Sequence, residues 1–109
     1  MKLLVIITQD ADAPKLQQAL NASNIRATKL ASTGGFLRQG NTTFLVGVEE
    51  RLIPEVREIV HRTCRERSQM VPTHLPVGNL PEPYLNQPIE VEVGGAIIFE
   101  LSIDSFERV

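Results

Sequence analysis

Four side chains in this sequence have the types and spacing to hold a ligand that is both anionic and flat: Arg26, Thr28, Phe36 and Asn41. Arg26 offers charge-assisted hydrogen bonds to a phosphate, and Thr28, two residues on and on the same strand face, adds a hydroxyl. Gly34-Gly35 lets backbone N–H groups approach an acceptor with no Cβ in the way. Phe36 supplies a ring on which a base can stack, worth ~1–3 kcal/mol. Asn41 carries a donor and an acceptor in one amide, the pattern that matches an adenine edge. The surroundings are cationic: residues 13–48 contain Lys15, Arg26, Lys29 and Arg38 and no carboxylate. A nucleotide is the ligand class that fits this combination.

Each residue also has a plainer account. An arginine on a strand serves as a solvated edge charge, a Gly-Gly pair as a turn, and a phenylalanine as core packing. Asn41 after Gly40 can satisfy the loop's own backbone. The argument for a site rests on the constellation, not on any one member.

Catalytic chemistry finds little to work with. Cys64 falls on the apolar stripe of a helix and reads as a small hydrophobe. His61 lies on the same helix, which gives too few ligands for a metal, and His74 has no evident partner. Glu90 and Glu92 alternate with core residues and read as a solvated or inter-subunit face. No G-x-x-x-x-G-K and no H-x-x-x-H occurs.

The elements that must position the candidate residues can be read in order. Residues 2–8 are a continuous apolar run, expected as a strand buried on both faces at the centre of a sheet. An aspartate N-cap at residues 10–12 and Pro14 in the first turn open a helix over 13–22, with Leu16, Ala19 and Leu20 inward. Two alternating arms, 25–33 and 41–48, form a hairpin around a tip at 34–40 that is long enough to fold over something. Residues 49–69 are expected as a second helix, with Ile53, Val56, Val60 and Cys64 at spacings of three, four and four. Five of the seven prolines fall in residues 71–88, which predicts a long functional loop. Residues 89–103 keep one parity through Gly94-Gly95, which predicts a single long strand bent at the glycines that reaches a neighbouring subunit.

A chain of 109 residues is expected to form one domain, 1–109. Its net charge of −2 argues against a nucleic-acid polymer as ligand. A lone cysteine, no apolar run of membrane-spanning length and no signal-peptide pattern predict a cytoplasmic protein without a membrane partner. The order β-α-β-β-α-β is the α+β, ferredoxin-like plan, an antiparallel sheet with both helices on one face. Its other face must be covered, which points to an oligomer, and three-fold packing of such sheets is one solution.

The strings N-x-R-A-T-K-L-A-S-T-G-G-F-L-R-x-G-N-T-T-F (24–44), Gln9-Asp10, Gln69-Met70 and P-I-E-V-E-V-G-G-A-I-I-F (88–99) resemble the cyclic-di-AMP receptor family PstA/DarA, which are PII-like signal-transduction proteins. The resemblance spans nearly the whole chain. It implies a PII-like homotrimer that binds the second messenger cyclic-di-AMP at its subunit clefts, with no catalysis and no cofactor. Ligand-dependent loop ordering would then control an unidentified downstream protein. It places ligand contacts on Arg26, Ala27, Thr28, Gly35, Phe36, Leu37, Asn41, Gly47 and, from the adjoining subunit, Phe99. Two features depart from the family pattern: Arg108 stands where the family usually has glutamine, and the 71–88 loop is richer in proline. Two other readings stay open, a PII-like sensor of ATP or ADP and a trimeric interaction module without a small ligand.

Overall fold

The fold is described from a computed structural model over residues 1–32, 40–71 and 88–109. The tip residues 34–39 and most of the proline-rich loop, 72–87, fall outside the described residues. The order is β1 (Lys2–Gln9), α1 (Ala13–Ala22), β2 (Thr28–Ser32), β3 (Asn41–Val48), a 3-10 turn (Glu50–Leu52), α2 (Ile53–Cys64), β4 (Arg67–Val71), β5 (Ile89–Val93) and β6 (Ala96–Ser102).

β1 lies inside the main sheet, as its unbroken apolar run requires. It pairs antiparallel with β3 on one side and β6 on the other, giving the order β2-β3-β1-β6. Even-numbered residues of β1 and β3 face the helices: Leu4, Ile6, Phe44 and Val46 are fully buried. They pack with Leu16 and Leu20 of α1 and with Val56, Ile59, Val60 and Cys64 of α2. Both helices therefore cover one face of an antiparallel sheet, consistent with a ferredoxin-like fold. The opposite face, read across the strands from the register, carries Thr28, Leu45, Val5 and Phe99 in one row, with Leu3 and Leu101 in the next. It is apolar and only partly covered; Leu30, Phe99 and Leu101 are 42%, 44% and 46% exposed.

Three expectations need correction. The second helix does not run to residue 69. It stops at Cys64, and Arg67–Val71 forms a strand. The reason is legible afterwards: the inward stripe ends at Cys64, and the next helical positions, Arg67 and Ser68, are polar. Nor is 89–103 one bent strand. Gly94 and Gly95 adopt φ of +87° and +93°, and β5 leaves the main sheet there to pair with β4 in a second, two-stranded sheet. Finally, Asp12 occupies the position before α1 but is itself helical (φ −93°, ψ −13°) and makes no side-chain cap. Its carboxylate turns instead to Arg67.

That pair belongs to a polar junction at the C-terminal end of β1. Arg67 donates to both oxygens of Asp12, at 2.7 and 3.3 Å, and to the Arg65 carbonyl at 3.0 Å. Asp12 is 1% exposed, so these bonds compensate a carboxylate removed from water. The Gly94 N–H donates to Gln9 Oε1 at 2.7 Å, and the Gly95 N–H to the Cys64 carbonyl at 2.5 Å. A Cβ on Gly94 would run into the Arg65 carbonyl and the Arg67 guanidinium. Positive φ and close approach together require glycine there.

Candidate functional site

Between α1 and β2 the chain reverses through Asn24, in the left-handed region at φ 58°, and is tied back by the Ile25 N–H donating to the Leu20 carbonyl at 2.9 Å. Ile25 is buried in the core. With Ile25 anchored inward, Arg26 stands exposed and Ala27 half-buried, and Thr28 begins β2 on the open face of the sheet.

These three residues line an open cleft of about 610 Å³, together with Asn21, Leu45 and Gly47. Met1, Leu3, Ile103 and Phe106 complete its walls. Among the described residues its character is apolar with a few polar side chains: one guanidinium, one hydroxyl and one amide, and no carboxylate. That is the usual make-up and size of a site for a small organic ligand. Arg26 makes no ion pair among the described residues, so its charge is available to a ligand.

Gly47 is informative in another way. It does not have positive φ, and a Cβ built on it would meet nothing within 4 Å. Neither backbone conformation nor packing within the chain demands glycine. What its hydrogen preserves is open space in the cleft.

The nine residues expected at the site thus divide. Arg26, Ala27, Thr28 and Gly47 come together in the cleft. Asn41 does not join them: it is buried at the other end of β3, six residues or ~20 Å from Gly47. Phe99 is exposed on the same sheet face as Thr28 but three strands away, ~14 Å. Gly35, Phe36 and Leu37 lie outside the described residues. Arg108 is exposed and does not line the cleft.

The root of the tip has its own clamp, which the sequence reading did not find. The Asp10 N–H donates to the Gly40 carbonyl at 2.9 Å, and Thr42 Oγ1 donates to Asp10 Oδ1 at 2.6 Å. A Cβ on Gly40 would collide with the Asp10 carboxylate. Asp10 is two residues from Asp12, so one short turn holds the root of the tip and, through Arg67, the start of β4. Hydrogen bonding to Asp12 raises the Arg67 pKa above its already high ordinary value, by stabilising the charged guanidinium.

Sequence reading also missed Phe106 and Ile103 as cleft residues. Ile103 was read as the end of the last periodic strand, and Phe106 lies in a terminal segment whose lack of periodicity gives no sign of where it packs. Among the described residues, no group of three or more His, Cys, Asp and Glu side chains is placed to hold a metal ion. No described helix is long and apolar enough to cross a membrane.

The family model described as cyclic-di-AMP receptor matches residues 1–109, the whole chain. The chain belongs to the cyclic-di-AMP receptor family. Its structure is also similar to a crystal structure described as that of a functionally unknown protein from Pediococcus pentosaceus ATCC 25745. The two share 44% sequence identity and a TM-score of 0.78, over 99% of this chain and 96% of the other. Family membership supports binding of cyclic-di-AMP, a cyclic dinucleotide with two phosphates and two adenines, by the chain. The cleft's single arginine and its apolar walls suit parts of that molecule.

Proposed function

We propose that this chain is a PII-like signal-transduction receptor, a single domain over 1–109, that binds cyclic-di-AMP at the clefts between copies in a cytoplasmic homotrimer. Binding orders the 34–40 tip and the 71–88 loop and so controls a downstream protein. Arg26 and Thr28 hold a phosphate, Ala27 and Gly47 form the floor, and Gly35, Phe36, Leu37, Asn41 and Phe99 complete the site.

The carrying observation is the cleft itself, which gathers Arg26, Ala27, Thr28 and Gly47 around open space within a chain of a cyclic-di-AMP receptor family. The separation of the remaining residues supports a site shared between copies. Ser32 and Asn41, at the far ends of β2 and β3, stand ~20 Å from Arg26 and Gly47. Tip residues meet the cleft when they come from another copy. The apolar open face, with Phe99 and Leu101 half-exposed, supplies the surface on which copies pack.

Arg26 is the only charged side chain lining the cleft among the described residues, which favours the two separated phosphates of a cyclic dinucleotide over a triphosphate. Native mass spectrometry tests the reading. The expected spectrum shows three chains carrying up to three cyclic-di-AMP molecules. Ligand on single chains, or a trimer that takes none, would sink it.

A further inference from the structure

On the outer side of the helical layer, away from the open sheet face, α1 and α2 leave a groove of about 470 Å³. Among the described residues it is lined by Lys15, Arg62, Arg65 and Arg67 and by no carboxylate. In a chain with thirteen acids against eleven bases, this concentration of cations is not a matter of composition. Ala19 and Ala22 keep its α1 wall low, so the groove is open along its length.

The four cations are not equally committed. Arg67 is held by the buried Asp12. Arg62 pairs with Glu58 four residues earlier, but both side chains are more than half exposed, and such a pair is readily exchanged for another carboxylate. Lys15 and Arg65 are exposed and make no ion pair among the described residues. Together they give a positive strip with two unused charges and a third that can be redirected.

We propose that this groove docks an acidic peptide segment of a protein partner. Its α1 wall runs from Lys15 to Ala22, ~10 Å, the length of about three extended residues. That length suits two or three successive carboxylates better than one small anion, which could reach only part of the cation set. The position suits a partner as well. Packing of copies through the sheet's apolar face leaves the outer helical layer in water. Arg67 also ties the groove to the turn that holds the root of the tip, so a docked segment lies against the structure that the ligand cleft would move.

The test is a titration of the ¹⁵N-labelled protein, followed by NMR, with a short peptide carrying three successive glutamates. Its glutamine analogue and inorganic phosphate serve as controls. The expected result is saturable shifts confined to α1 and to residues 62–67 with the glutamate peptide alone, weakened about tenfold by Lys15→Glu with Arg65→Glu. Cyclic-di-AMP affinity of that double variant should be unchanged, which also shows that it folds. Shifts scattered over all basic residues, equal shifts with the glutamine peptide or with phosphate, or no shift at all would overturn the proposal. So would a double variant with an altered number of chains per particle, since the groove would then be a contact between copies.

Discussion

Gly47 gives the sharpest separation of fold from function. Glycine inside a strand is destabilising by ~0.5–1 kcal/mol relative to alanine, because of the backbone freedom it loses. At Gly47 nothing offsets that cost within the protomer: φ is not positive, and an added Cβ meets no atom within 4 Å. Gly47→Ala should therefore raise stability by ~0.5–1 kcal/mol, a rise in Tm of roughly 2–8 °C for a domain of this size. The same methyl, and more so the branched side chain of Gly47→Val, enters space that the ligand is argued to fill. Overpacking of this kind costs ~1–3 kcal/mol, or roughly 5- to 150-fold in affinity. Thermal unfolding without ligand and calorimetric titration with cyclic-di-AMP measure the two effects on one preparation, with the mass in solution checked for each variant. A lower Tm would show that glycine serves the fold. Unchanged affinity in Gly47→Val would show that the ligand does not occupy the cleft.

Arg26→Ala should leave stability within ~0.5 kcal/mol, since Arg26 has no ion pair among the described residues. Loss of a hydrogen bond to a charged group should weaken cyclic-di-AMP binding by ~1.5–3 kcal/mol, measured by the same titration; equal affinity would remove Arg26 from the site. Arg67→Ala strands the buried carboxylate of Asp12 and should cost ~2–3 kcal/mol in denaturant unfolding, below the usual figure for a fully buried pair because Arg67 is 34% exposed. Gly40→Ala drives a methyl into the Asp10 carboxylate and disturbs the bond from Thr42, for a loss of ~1–3 kcal/mol; a neutral result would mean that the clamp is not needed. Hydrogen exchange in the 34–40 tip and the 71–88 loop should slow at saturating cyclic-di-AMP, and equal protection with and without ligand would remove the loop-ordering step.

The parts of the fold legible in the sequence were those written as periodic pattern. The bounds of α1 and β3, the central place of β1 and the buried stripe Val56, Val60 and Cys64 all follow from apolar spacing. β4 was hidden because Arg67, Ser68 and Gln69 are polar and continue a charged helix face in composition. The separation of β5 from β6 was hidden for a different reason. Parity is preserved across Gly94-Gly95, and only the φ values and the hydrogen bonds to Gln9 and Cys64 reveal the change of sheet.

Of the cleft-lining residues, Arg26, Ala27, Thr28 and Gly47 could be read from the sequence because their motif is contiguous or shared with a family. Phe106 could not, since its place in the cleft depends on where a short terminal segment packs. The bond between Asp12 and Arg67 spans 55 residues and leaves no local trace; Asp12 looked like a cap because aspartate before a helix usually is one.

Calorimetric titration of the purified protein with cyclic-di-AMP, then with ATP, while its mass in solution is followed, tests the central claim most directly. The account predicts saturable binding of one cyclic-di-AMP per chain by a trimer and no comparable heat with ATP. Silence with cyclic-di-AMP, or heat with ATP alone, would contradict it.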